Sequence, residues 1–189
     1  MASRIIAKLS VLSKCRMPSS EMLVYLNWVN EQFSRTNDQS CKYLHSVAEC
    51  VQLVMRIDDY RILFVQVGGI NILVSRLLGD CGFQMQYQII FSLWLLSFNV
   101  EIAGKIGEES VIPVLSDILR NSQKEKVTRI IIATFRNLLE KPEDRKIACV
   151  SLIQSKLLPI FEVMSTKAWG DEDIKDDIEY IQEVLNESL

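Results

Sequence analysis

Glycine and proline are scarce, seven and four in 189 residues, which excludes a fold of many tight turns and favours long elements. Long apolar runs are also lacking. The greasiest stretch, Ile89 to Phe98, is ten residues interrupted by Ser92 and Ser97, and a bilayer span needs about 20. No transmembrane helix is expected. The opening "MASRIIAKLS" threads Arg4 and Lys8 through its apolar residues, unlike a secretory leader, whose charges precede a continuous apolar block. Neither charge dominates: 21 basic and 24 acidic side chains give a net charge of −3, which excludes the strongly basic footprint of a nucleic-acid binder. The five cysteines, Cys15, Cys41, Cys50, Cys81 and Cys149, include no Cys-x-x-Cys pair. They read as buried free thiols of a protein in a reducing cytosol.

Phosphate-cradling and nucleophilic devices are missing as well. No Gly-x-x-x-x-Gly-Lys-Ser/Thr loop and no Gly-x-Ser-x-Gly elbow occurs. The one histidine, His45, has no cysteine or carboxylate at ligand spacing and reads as structural. We therefore expect no enzyme, no cofactor and no metal site.

What is there is helical. Leu, Ile, Glu, Lys and Arg abound, and no strand pattern is flanked by hairpin turns. Ser20 is placed to cap a helix that buries Met22, Leu26, Val29 and Phe33. "SRTNDQS", 34–40, reads as a polar loop. A helix over 41–57 buries Leu44, Val47, Val51, Val54 and Met55, with Asp58 and Asp59 as punctuation. "YRILFVQV" ends at Gly68-Gly69 and "INILVSRLL" at Gly79. In the greasy run Tyr87, Ile90, Phe91, Trp94, Leu95 and Phe98 recur at helical steps, and Ile89, Leu93 and Leu96 make it apolar nearly all round. Such a helix is buried on several sides; Phe91, Trp94 and Leu95 are expected to be nearly fully buried.

The helices repeat. "INILVSRLL" (70–78) matches "VIPVLSDIL" (111–119) at an offset of 41, and "YQIIFSLWLLSF" (87–98) matches "TRIIIATFRNLL" (128–139) at the same offset. "SVAECVQLVMRI" (46–57) precedes the greasy helix by 41. A third copy, "LLPIFEVMS" with "IKDDIEYIQEVL", follows at an offset of 46, the extra residues falling in the loop around Trp169. Each unit is a short, a medium and a long helix, the grammar of an armadillo or HEAT solenoid. The expectation is an all-α, right-handed helical solenoid of about three to four repeats, 1–189 forming a single repeat domain. "ASRIIAKLS" looks like the tail of an earlier long helix, and neither end has the polar face of a solenoid cap. A fragment of a longer protein is expected.

Two surface features stand out. Lys126, Arg129, Arg136 and Glu140, with Ala133 between, share one face of a long helix. They read either as a basic stripe for an acidic partner or as a solvated helix face. Asp171, Glu172, Asp173, Asp176 and Asp177 open the last helix, where they suit the positive end of its dipole. Trp169, in the long loop, reads either as a partner anchor or as a staple of the loop.

"FQMQYQIIFSLWLLSF", "VIPVLSDIL", "KEKVTRIIIATFRNLLEK" and "DEDIKDDIEYIQEVL" resemble the H-subunit family of vacuolar-type proton-pumping ATPases, and the likeness runs from "RIIAKL" at Arg4 to the end. It implies a non-catalytic component of the ATP-hydrolysing peripheral sector. Such a component couples that sector to the membrane sector and restrains hydrolysis when the two separate. The resemblance implies contact with the E and G proteins of the peripheral stalk and with endocytic adaptors. It also implies a place on the cytosolic face of vacuolar and other endomembranes, with no insertion into the bilayer. Relative to the family, early repeats and a C-terminal helical domain are expected to be missing. The alternative is a generic armadillo adaptor gripping an extended peptide, which would use an Asn and Trp ladder. Here only Trp94 and Asn137 occupy such positions, without a regular ladder.

Overall fold

The computed structural model describes residues 2–12, 16–35, 41–79, 81–108 and 110–189, with only the backbone of residues 11, 41 and 42. Among these residues the chain forms twelve helices and no strand. They fall into two compact units, Met1–Leu96 and Ser97–Leu189.

The first unit holds α1 (Ala2–Val11), α2 (Ser19–Ser34), α3 (Cys41–Val54), α4 (Asp58–Gln66), α5 (Gly69–Leu78) and α6 (Phe83–Leu96). Three helices stack in sequence: α1 packs on α3, and α3 packs on α6. Leu44, Val47, Val51, Val54 and Met55 are all buried on the core side of α3 and its following turn, as their three- and four-residue spacing requires. On the other side α2 rests against α4 and α5, and Asn30 Nδ2 donates to the Val67 carbonyl at 2.8 Å. The turn between α4 and α5 needs its two glycines for different reasons. Gly68 has φ 76°, which disfavours any side chain. A Cβ on Gly69 would lie 2.4 Å from the buried Phe64 ring.

The second unit holds α7 (Val100–Glu108), α8 (Val111–Asn121), α9 (Glu125–Glu140), α10 (Lys146–Gln154), α11 (Leu158–Ser165) and α12 (Asp173–Glu187). Within it α7, α8 and α9 run short, medium and long, whereas in the next copy two short helices, α10 and α11, precede the long α12. α8 stands beside α9 and α11 beside α12, and α12 packs along α9. Ile174, Ile178, Ile181 and Leu185 form the buried stripe of α12, against a face of α9 that buries Ile131, Ile132, Phe135 and Leu138. Polar residues inside the stack are satisfied locally. Ser116 donates to the Ile112 carbonyl at 2.7 Å and Thr134 to the Ile130 carbonyl at 2.7 Å, the back-bond that lets a short hydroxyl sit in a helical core.

Several expectations need correcting. Ser20 is not the cap of α2: the helix starts at Ser19 with Pro18 as N-cap, whose carbonyl accepts from Met22 N–H at 2.9 Å. Asp58 and Asp59 do not punctuate; they form the first turn of α4, where carboxylates suit the helix dipole. In α6 the fully buried side chains are Ile89, Ile90, Leu93 and Leu96, with Leu95 close behind. Phe91 and Trp94 are only half-buried, and Phe98 lies beyond the helix end, 40% exposed. The rings of Tyr87, Phe91 and Trp94 instead line up with one another, at centroid separations of 6.2 and 5.2 Å. Cys50 and Cys149 are buried free thiols and Cys81 is half-buried; Cys15 and the Cys41 side chain lie outside the described residues. Of the loop expected at 34–40, Ser34 closes α2 and Arg35 is extended, while 36–40 also lie outside them. Among the described residues no single helix is long and apolar enough to cross a membrane.

Candidate functional site

The residues singled out for binding all lie in the second unit, on the α9–α12 face and in the loop between α11 and α12. α9 places Lys126, Arg129, Ala133, Arg136 and Glu140 along one line because its apolar residues claim the opposite side. Lys126 is exposed and has no carboxylate partner among the described residues. The two arginines are engaged. Arg129 is 2.5 Å from Asp171 and 3.2 Å from Asp173. Arg136 is 2.5 Å from Asp177, 3.9 Å from Glu140, and lies over the Tyr180 ring at 5.0 Å. The basic stripe of α9 and the acidic opening of α12 are thus two sides of one charged seam.

The electrostatics of the Arg136–Asp177 contact follow from its depth. Burial pushes the Asp177 carboxyl above its ordinary value, and the hydrogen bond and charge of Arg136 pull it back without cancelling the effect. Repulsion from Asp173 and Asp176 adds to the upward shift. The hydrogen bond to Asp177 holds Arg136 still more firmly in its charged form. The pair attracts, and the shift of Asp177 records what its desolvation costs. The exposed Arg129 pair is of the kind that contributes about 0–1 kcal/mol.

Trp169 is held in place. Its indole N–H donates to the Met164 carbonyl at 2.9 Å, at the end of α11, and Lys167 Nζ lies 5.8 Å from the ring centre. The next residue, Gly170, donates its N–H to Glu125 Oε1 at 3.1 Å, which ties the loop to the first turn of α9. The half-buried ring also lines a groove of about 580 Å³ beside α11, together with Leu119, Pro159, Ile160 and Val163.

His45 lies in the first unit and makes a reciprocal contact with Gln88. Its Nδ1 and Gln88 Oε1 are 2.8 Å apart, and Gln88 Nε2 donates to the His45 carbonyl at 3.4 Å. Gln52 Nε2 donates to the Gln88 carbonyl at 3.0 Å. These bonds tie α3 to α6. Among the described residues no group of three or more His, Cys, Asp or Glu side chains could hold a metal ion.

Sequence reasoning missed the charged seam: Arg136 and Asp177 are 41 residues apart, five short of the offset that relates α9 to α12, so the repeat does not align them. It also missed the groove, whose walls come from α8, α9, α11, the turn after α10 and the Trp169 loop. No single segment carries that arrangement.

The family of V-ATPase H subunits matches residues 1–185 of the chain. The V-type proton ATPase H subunit of Drosophila melanogaster is 44% identical over 192 residues, covering 100% of this chain and 40% of that protein. The second probable V-type proton ATPase H subunit of Caenorhabditis elegans is 40% identical, covering 99% of this chain and 40% of that protein. The chain therefore spans about two fifths of the length of these relatives. Among solved structures, a designed armadillo repeat protein in complex with the peptide (KR)4 superposes with a TM-score of 0.73 at 14% identity, over 98% of this chain and 73% of that one. A computationally designed armadillo repeat protein for modular peptide recognition gives 0.69 at 15% identity, over 85% and 64%. The fold is an armadillo-like helical solenoid.

Proposed function

The chain belongs to the V-ATPase H-subunit family, and we propose that it serves the V-type proton pump as a non-catalytic regulatory and coupling component. In that role it links the ATP-hydrolysing peripheral sector to the rest of the pump and regulates hydrolysis for proton transport and organelle acidification. It works at the cytosolic face of vacuolar and other endomembranes, with residues 1–189 acting as one repeat domain. The observation that carries this reading is the family match over residues 1–185.

Its partners are other pump proteins, with E and G of the peripheral stalk first among them. Endocytic adaptors are further partners of the same kind of surface. Stacked helices offer long, laterally accessible faces for such contacts. On α9 the open cation is Lys126, followed by Arg129, whose side chain is 50% exposed beside Asp171. Arg136 is committed to Asp177 and supports the surface from within. Trp169 is the aromatic candidate.

The peptide-gripping adaptor is the second reading, favoured by the likeness to the armadillo protein bound to (KR)4. Against it, Asn137 is buried and donates from Nδ2 to Ser97 Oγ at 2.9 Å, so its amide is spent inside the unit.

The test is direct binding of the whole chain to a purified E–G stalk heterodimer, with Lys126→Glu as the comparison. Saturable binding that weakens in the variant, more at low salt than at high, supports the reading, because exposed charges steer association and are screened. An intact, folded chain that does not bind the stalk counts against this assignment of partner.

A further inference from the structure

The groove beside Trp169 has a composition that selects a ligand. Leu119, Pro159, Ile160 and Met164 give it an apolar strip beside the hydroxyls of Ser122 and Thr128, and Val163 also lines it, 60% exposed. Its cations are Arg120, Lys156 and Lys167, and no carboxylate lines it. Two acids on the neighbouring helices already have partners. Asp117 is 2.6 Å from Arg120, and Glu125 accepts from the Gly170 N–H. Arg120 is also spent, since it donates to the Ser155 carbonyl as well. Lys156 and Lys167 carry the open charge, both exposed and neither with a carboxylate partner among the described residues.

Lys156 has a second peculiarity. It follows the last turn of α10 with φ 52°, and its N–H donates to the Ile153 carbonyl at 2.8 Å. That left-handed position after a helix is normally glycine, and a side chain there carries strain. The strained turn sets a lysine on the groove. Across from it, Trp169 is fixed by its bond to Met164, so the site is shaped before any ligand arrives.

We infer that this groove docks a partner protein segment in which an apolar side chain is flanked by carboxylates. The apolar side chain enters between Trp169 and Ile160, and the flanking acids meet Lys156 and Lys167. A fixed, half-buried aromatic wall with charges at the rim suits an interface anchor. The inference stands apart from membership of the pump. It concerns the α11 side of the unit and names the chemistry of the segment, whichever protein supplies it.

The chain has three tryptophans, so the 15N-labelled protein shows three indole signals, assignable by Trp169→Phe. The probe is the peptide acetyl-Asp-Glu-Phe-Glu-Asp-amide. The expected result is a saturable shift of the Trp169 signal at up to about 1 mM peptide, the range of weak peptide docking, with Trp28 and Trp94 unmoved. Replacing the phenylalanine of the peptide by serine, or its acids by lysines, should weaken the shift at least tenfold. The Lys156→Gly, Lys167→Gln variant should weaken it by a similar factor. Glycine suits the left-handed turn, so that variant keeps its fold, verified by its unchanged amide spectrum. The inference is overturned by a silent Trp169 signal, by an equal response to the lysine peptide, or by undiminished binding in the double variant. It is also overturned if sedimentation shows a dimer and dilution to monomer shifts the Trp169 signal, which would mean that a second copy of the chain covers the groove. Stalk binding can fail while this titration succeeds, and the reverse, so the two ideas are separable.

Discussion

Arg136 of α9 and Asp177 of α12 meet across 41 residues of chain, with 2.5 Å between guanidinium nitrogen and carboxylate oxygen. The Asp177 side chain is 15% exposed there, against 34% for Arg136. The contact joins the two long helices of the second unit at a depth where each partner depends on the other.

Removing one partner should therefore cost more than a surface ion pair is worth. Arg136→Ala leaves Asp177 half-buried without its cation, at a cost of about 1–3 kcal/mol in chemical denaturation. The charge-swapped pair Arg136→Asp with Asp177→Arg should recover part of that loss, read as a coupling energy in a double-mutant cycle. Independent, additive losses would mean that the contact is incidental.

The same carboxylate makes a prediction about pH. Its native pKa is raised above the ordinary value of 3.8, so between those two values the folded state binds the proton more tightly than the unfolded one. That stability is fully present below 3.8 and is lost as pH rises through the raised native value. Relative to Asp177→Asn, which cannot titrate, the wild type should gain stability as pH falls through this window. Denaturation curves that diverge in the opposite direction would show that the attraction of Arg136 outweighs burial.

Core depth can be checked on one pair of leucines. Leu93 is fully buried in α6 and Leu78 is 71% exposed at the end of α5. Leu93→Ala should lower stability by about 2–5 kcal/mol, as filled core positions do, while Leu78→Ala should stay within about 0.5 kcal/mol. Similar losses at both positions would contradict the packing described for the first unit.

The repeat was legible because its signal is redundant. A middle and a long helix share one offset within each copy, 41 residues to α8 and α9 and 46 to α11 and α12, and these helices fall where those offsets put them. Which side of α6 is deepest was not legible. A helix apolar nearly all round carries little angular information, so Phe91 and Trp94 looked as deep as Leu93. Asp58 and Asp59 were misread because an acidic pair serves equally as a loop signal and as a first helical turn. Charge on α9 and charge on α12 were each visible, but pairing needs the register of one helix on the other, and neither Arg129–Asp171 nor Arg136–Asp177 sits at the offset that relates the two copies. Trp169 was recognised as a loop aromatic. Its bond to the Met164 carbonyl leaves no mark in the sequence, because any backbone can accept it.

Service to the proton pump is tested most simply by capture of the whole chain, epitope-tagged and expressed in cells, with identification of the proteins that co-elute. The expected result is recovery of V-type ATPase peripheral-sector proteins, E and G of the stalk among them, in amounts that follow the bait through a second purification step. A folded chain recovered with no pump protein, or with adaptor proteins alone, would contradict it.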